Sequence, residues 1–296
     1  MIPDKEHKVC HHRIIAPGNT FIVPAGLILT LLLSLNTVPL QASNDNYPAG
    51  ARSAALGNVG VMYPDFWSIW HNQAGLGFYP HFSAGFHHEN RFVVPEFGLN
   101  SIGITLPTST GTFGISWSHF GYSRYHENKF GVALGKAFHK RFAAGLQIDY
   151  MNTYIDDDLG SSGTVAIEAG IMAEPVDNLL IGFHVFNPTA SSLPKMKQER
   201  IPVIMRMGLG YRFEDRLFLG VETEKDLDVA KAFYKVGLEY RVIEYVYIRT
   251  GIGVQEYVQH SFGVGFNMHN FQADLAFSFQ QIVGYTPYFS LRYVFK

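Results

Sequence analysis

The feature that most constrains this chain is a strict alternation of apolar with small or polar residues, which recurs in nearly every apolar run after about residue 80. In residues 202–213, Val203, Met205, Met207, Leu209, Tyr211 and Phe213 fall on one face of an extended strand, and Ile204, Arg206, Gly208, Gly210 and Arg212 on the other. A soluble sandwich turns such an apolar face to a core and the polar face to water. A transmembrane barrel turns the apolar face to lipid and the polar face to its lumen. The number of such segments and their context separate the two.

About 14 alternating segments of roughly ten residues, the length of a tilted bilayer-crossing strand, follow one another between residues 82 and 295. They are expected to start near Phe82, Gly98, Thr112, Lys129, Phe142, Thr164, Leu179, Pro202, Arg216, Ala232, Tyr245, Val258, Phe271 and Thr286. Connectors of turn composition are expected at 107–111, 156–163, 174–178, 214–215 and 284–287, with one longer loop at 187–200. The fold class is therefore all-β, a transmembrane antiparallel barrel of about 14 strands. Composition agrees: the 296 residues are 47% hydrophobic and 15% aromatic, with 16 Tyr and 24 Phe, yet the apolar groups are spread along the chain rather than pooled into a membrane helix. A soluble β-sandwich is the competing architecture.

The same parity assigns the polar residues. Leu146, Ile148 and Tyr150 oppose Gly145, Gln147 and Asp149; Val246, Ile248, Ile252 and Val254 oppose Tyr247, Arg249, Gly251 and Gly253; Phe262, Val264, Phe266 and Met268 oppose Gly263, Gly265, Asn267 and His269. Charge facing mid-bilayer costs about 2–4 kcal/mol for Lys or Arg, so the lumen-facing set is expected to include Asp149, Glu168, Arg206, Arg212, Glu222, Lys235, Glu239, Arg241, Arg249, Asp274 and Arg292. Both signs occur, which fits an ion-paired and partly filled lumen, and the glycines beside them leave room for a plug or cargo.

The N-terminal region differs. Lys5, Lys8 and Arg13 precede an apolar stretch at 21–35 and small residues up to Ala42, the pattern of a signal peptide spanning 1–42. Cys10, the only cysteine, lies before the apolar stretch and leaves the exported part without thiol chemistry. Residues 43–80 do not alternate and read as a separate segment before a barrel at 81–296. Within them Asp65 is placed to cap a short helix with Phe66, Ile69 and Trp70 on its apolar side.

Two runs in this segment, Gly50-Ala51-Arg52-Ser53-Ala54-Ala55-Leu56-Gly57 and Asn72-Gln73-Ala74-Gly75-Leu76, with Asp65 between them, resemble the mature N-terminus of the PorV/PorQ family within the FadL-like outer-membrane proteins. Gln73 stands where that family has proline. The resemblance covers about 27 residues. It implies that Gly50, Arg52, Gly57, Asp65, Trp67, Asn72, Gln73, Ala74, Gly75 and Leu76 belong to a hatch in or across the periplasmic mouth. It also implies an outer-membrane location and one of two non-enzymatic roles: attachment to type IX protein secretion, with secretion subunits or secreted cargo as partners, or passage of long-chain fatty acids or other small hydrophobic ligands. The secretion role is the main expectation and passage the alternative. The final residues alternate as Phe289, Leu291, Tyr293 and Phe295, resembling a barrel-insertion signal displaced by one residue at Lys296.

Other chemistry is poorly served. His87 and His88 point to opposite faces of a strand and cannot chelate together, so they read as an interfacial strand end. Asp156-Asp157-Asp158 lacks the spacing of a calcium loop and reads as a solvated hairpin. Gly208-Leu209-Gly210, Gly251-Ile252-Gly253 and Gly263-Val264-Gly265 do not lead into helices as nucleotide loops do. His260-Ser261 and Ser116 with His119 differ in parity, against a hydrolase. No catalytic residue, metal or cofactor is expected, and a net charge of −2 without a basic run points away from nucleic acid.

Overall fold

The computed structural model describes residues 46–156, 160–194, 199–214 and 216–296. The signal expected at 1–42 and Cys10 lie outside these residues, as do the first three positions of the hatch segment, Asp157 and Asp158 of the acidic loop, and Asp215. Fourteen antiparallel strands close into one barrel. They are β1 (Ser83–Asn90), β2 (Gly98–Pro107), β3 (Thr112–Tyr122), β4 (Tyr125–His139), β5 (Phe142–Ile155), β6 (Gly160–Ala173), β7 (Leu179–Phe186), β10 (Ile204–Phe213), β11 (Leu217–Asp226), β12 (Phe233–Ile243), β13 (Val246–Val254), β14 (Val258–Met268), β15 (Phe271–Gln280) and β16 (Gly284–Val294). A small separate ladder, β8 (Ser192–Leu193) with β9 (Glu199–Arg200), lies in the β7–β10 loop. Each barrel strand pairs with its sequence neighbour, and β1 pairs with β16, from Ser83 opposite Val294 to Glu89 opposite Tyr288. Closure removes the sheet edges that an open antiparallel sheet would expose.

The alternation becomes two surfaces. Along β5, Leu146 and Ile148 are 62% and 61% exposed, whereas Gln147 and Asp149 are buried. Exposed apolar side chains recur on every barrel strand from β2 to β16 except β7, whose outward Ile181, Phe183 and Val185 are half-buried, and form a belt that only hydrocarbon can cover without penalty. Aromatic pairs border it at both ends: Phe82 stacks on Phe295 at 4.5 Å and Tyr211 meets Phe213 at 4.6 Å at one rim, and Phe279 meets Tyr285 at 4.8 Å at the other. These are the interfacial girdles of a transmembrane barrel. The rim carrying Phe82 and Phe295 has the shorter connections, such as Lys140 with Arg141 and Glu244 with Tyr245, and short turns mark the periplasmic side.

Several expectations are corrected. Gly160 to Gly163 belong to β6, where Ser162 pairs with Thr153, and Gly284 to Pro287 belong to β16, the turn lying at Gln281 to Val283. Small and Pro-containing sequences resembled turns, but both hairpins extend further than composition suggests. Pro287 is tolerated because β1 pairing stops at Tyr288, so no partner there needs its missing N–H. His269 is in the β14–β15 turn with φ 54° and is exposed, not lumen-facing. A second irregular connection at 91–97, built from two 3-10 turns, escaped the sequence reading. His87 is a buried inward residue beside Trp67, not an interfacial one.

Residues 46–80 pack against inward side chains all round the barrel. They contain α1 (Ala51–Ala55), α2 (Ser68–His71) and a 3-10 helix, Gln73–Phe78. Asp65 does not cap the helix, whose N-cap is Trp67 without a side-chain cap bond; its Oδ1 instead closes the preceding turn by accepting from Trp67 N at 2.8 Å, and Phe66, Ile69 and Trp70 are buried.

Candidate functional site

The internal segment rests on a bed of glycines. A Cβ on Gly237 or Gly251 would lie within 2.7 Å of Leu56, one on Gly182 would lie 2.2 Å from Val61 O, and one on Gly145 would lie 2.3 Å from Gln73 C. Gly220, Gly237 and Gly251 are register neighbours across β11, β12 and β13. Removing side chains from one interior row lets residues 56–62 approach the wall backbone itself. On the opposite wall Phe66 lies over Gly85 of β1 and Trp70 over Gly103 of β2. Phe66, Trp67, Ile69, Trp70, Leu76 and Tyr79 form one apolar cluster, and Leu56, Val59, Val61 and Met62 form another with Leu180 and Phe218 of the wall.

Charge fastens this segment at three places. In the first, Arg52 Nε and Nη2 each donate to Glu239 at 2.9 Å, and Arg249 bridges Glu239 to Asp274 with hydrogen bonds of 2.5 and 2.6 Å. Asp65 is 3.7 Å from Arg52, whose guanidinium also sits 3.4 Å above the Tyr63 ring. Burial pushes the Asp65 carboxyl up, and Arg52 opposes that shift.

The second place is Glu222. Its Oε2 accepts from the backbone N–H groups of Gly60 and Val61 at 2.8 and 2.9 Å, and its Oε1 from Lys235 at 3.0 Å. Lys235 also donates to Glu224, which in turn accepts from Arg206 at 2.7 Å. Such carboxylate acceptors are about twice as strong as neutral ones, so two amides that an irregular segment leaves free are satisfied by the wall.

The third centres on Glu168. It accepts from Gln73 Nε2 at 2.8 Å, from Lys129 Nζ at 2.5 Å and lies 2.9 Å from His184 Nε2. Asp149 is 3.6 Å from Lys129 and accepts from Gln147 at 2.8 Å. Nearby, Asn72 ties the segment to itself and to the wall: Nδ2 donates to Val61 O at 2.8 Å and to Ile171 O at 3.1 Å, and Oδ1 accepts from Ala74 N at 3.2 Å. His71 Nε2 lies 2.9 Å from Ala49 O; burial pulls its pKa down to about 3, so the ring is neutral and donates.

The remaining residues expected in the hatch have packing roles. Gly50, with φ 108°, lies on the Trp67 ring, where a Cβ would come within 2.8 Å, and Gly57 adopts φ 71° against Ile252. Gly75 makes room for Ser68, while Ala74 contacts the Ala143 and Met172 cluster. Of the lumen-facing polar candidates, Asp149, Glu168, Arg206, Glu222, Lys235, Glu239, Arg249 and Asp274 are brought into the three networks and are buried. Arg292 is apart, donating to Tyr79 Oη at 3.2 Å, and Arg212 and Arg241 join no ion pair among the described residues. Sequence reasoning missed Lys129, Glu224 and His184; for Glu224 the available signal was its shared parity with Glu222 on β11, whereas β7 is apolar on both faces and gave His184 no contrast.

Candidate chemistry of other kinds finds no geometry. His88 lies 2.9 Å from Asn100 Oδ1 and His119 lies 3.0 Å from Asn128 Oδ1. Ser116 and Ser261 are buried inside while His260 is exposed. Among the described residues no group of three or more His, Cys, Asp or Glu is placed to hold a metal ion.

No family model matches the sequence, and no curated protein is similar to it. Solved structures are similar in fold. A Pseudomonas aeruginosa FadL homologue superposes with TM-score 0.62 at 12% identity, covering 83% of this chain and 98% of that one. The Ralstonia pickettii toluene transporter TbuX gives 0.65 at 10% identity, with 83% and 98% covered. The P. putida toluene transporter TodX gives 0.63 at 11% identity, with 85% and 99% covered. The chain thus has the fold of these outer-membrane transport barrels.

Proposed function

We propose that this protein is a non-enzymatic FadL-like channel of the outer membrane, admitting small hydrophobic molecules past residues 46–80, which act as an internal hatch. One observation carries the reading: the hatch is attached asymmetrically. Toward β10–β15 it is anchored by the carboxylates Glu222 and Glu239, whereas toward β1–β3 it is held without charge, by aromatic rings on glycine and by neutral hydrogen bonds of Trp70 to Ser118 and Tyr79 to Ser83. On that aromatic side the Trp67 indole Nε1 is buried without a hydrogen-bond partner among the described residues. Buried polar groups are nearly always satisfied, and an apolar seam with a placed polar group is the character of a small-molecule site. A hydrophobic solute would pass on the aromatic side while the ionic side holds the hatch. The similarity to a FadL homologue and to toluene transporters supports this choice over the secretion role.

Expression in a Gram-negative strain lacking its own FadL-type channels tests it. Cells carrying the protein should accumulate radiolabelled toluene or oleate faster than vector controls; equal rates with folded protein in the outer membrane would contradict the reading. A second reading, an accessory barrel of type IX secretion, rests on the Gly50–Gly57 and Asn72–Leu76 runs. Recovery of secretion subunits with the detergent-extracted protein would favour it.

A further inference from the structure

At the short-turn mouth of the barrel a cavity of about 280 Å³ is lined by Tyr63, Arg212, Arg216, Phe218, Arg241 and Tyr247, among others. The topology gathers its arginines from β10 (Arg212), the β10–β11 turn (Arg216) and β12 (Arg241). Arg212 is opposite Phe218 across β10 and β11, Arg241 is opposite Tyr247 across β12 and β13, and the backbone N–H of Arg241 donates to Arg216 O at 2.7 Å. Arg212 lies 5.2 Å over the Tyr63 ring, so the hatch itself forms part of the floor.

The three guanidiniums, of which Arg216 is solvent-exposed, have no carboxylate partner among the described residues. Glu239 also lines the cavity, but its two oxygens are already taken by Arg52 and Arg249. The fully buried cations deeper in the lumen face carboxylates: Lys129 has Glu168, Arg206 has Glu224 and Lys235 has Glu222. Three like charges brought into one concavity repel each other and raise the local potential, which a multivalent oxyanion relieves. Arginine forks match phosphate oxygens in pairs.

We propose that this cavity binds a phosphate group, either free or carried on a lipid headgroup, at the periplasmic mouth. Free phosphate, with a charge of about −1.5 to −2 at neutral pH like a phosphate monoester, answers three guanidiniums better than a single carboxylate does, and the singly charged phosphodiester of a phospholipid offers the same paired oxygens to the arginine forks. Because Tyr63 belongs to the hatch, the bound phosphate touches hatch and wall together. The assignment does not depend on what the barrel transports.

The test uses the full protein purified in detergent. Inorganic phosphate is titrated in calorimetry at low ionic strength, and native mass spectrometry reads retained phospholipid after extraction from membranes. Saturable phosphate binding, or a retained phospholipid, is expected for the wild type. The double variant R212Q/R241Q should weaken phosphate binding at least tenfold or lose the lipid. K231Q, at the opposite rim in an exposed pair with Glu256, should change neither. Phosphate binding alone identifies a free ligand, and retained lipid identifies the headgroup. Absence of both in the wild type, or equal binding in R212Q/R241Q that migrates as a folded barrel, overturns the proposal.

Discussion

Arg52 of the internal segment and Glu239 of β12, 187 positions apart in sequence, are joined by two parallel hydrogen bonds of 2.9 Å. Both side chains are nearly inaccessible. Breaking such a pair from one side leaves a buried charge, at a cost of about 3–5 kcal/mol, while removing both partners costs much less. Arg52→Met should therefore lower the temperature at which the barrel loses its heat-resistant gel mobility more than R52M/E239M does. Equal losses in the two variants would show that the pair carries no mutual dependence.

Gln73→Pro restores the residue found in the resembling family. Asn72 already adopts φ −166°, ψ 104°, the extended region that a residue before proline prefers, and position 73 opens a 3-10 helix, where proline is accepted. The backbone should accommodate the change. The loss is the Gln73 hydrogen bond to Glu168, worth about 1.5–3 kcal/mol for a bond to a charged group, and Lys129 and His184 remain on that carboxylate. A modest fall in thermal stability with retained membrane insertion is expected; failure to insert would mean that the proline-free turn is required.

Phe262 and Gly263 separate lipid from lumen by one residue. Phe262→Arg places a cation in the belt, at about 2–4 kcal/mol near the midplane. Alternation alone makes Gly263→Arg the milder change. The structure alters that expectation, because a Cβ at 263 would lie 2.6 Å from Ala55 Cβ and 2.6 Å from Leu275 O. G263R should insert into membranes better than F262R yet show faster protease cleavage within residues 46–80. Cleavage equal to wild type would contradict the contact with Ala55.

Gly251→Val probes the glycine bed. Its Cβ would fall 2.1 Å from Leu56 C, a backbone atom that cannot rotate away. The variant should form a barrel whose internal segment is displaced, read as increased protease access without loss of β-sheet circular dichroism. Unchanged protection would place Leu56 elsewhere.

The wall was legible in the sequence because its physics is local and repeated. In β10, Met205, Met207 and Leu209 must face lipid and Arg206 must not, whatever their neighbours do, and this pattern recurs strand after strand. The boundaries of β6 and β16 were less legible, since Gly160-Ser161-Ser162-Gly163 has turn composition yet pairs with β5 beyond the lipid belt. β7 hides its parity: Leu180, His184 and Phe186 face inward while the other face is apolar too, so His184 gave no contrast. Parity names the inward charges but not their partners. That Arg249 pairs with both Glu239 and Asp274, or that Glu222 accepts two hatch amides, follows from strand stagger and from the path of residues 46–80, neither of which any local pattern encodes.

The central claim is that residues 46–80 lie seated against the interior wall of a lipid-embedded barrel. Amide hydrogen exchange followed by mass spectrometry on the detergent-solubilised protein tests it most directly. Peptides covering residues 50–79, including the Gly60 and Val61 amides held by Glu222, should exchange as slowly as those of β5 and β12. Exchange of that region within seconds, at the rate of the exposed 227–232 loop, would contradict the seating and with it the account of the hatch.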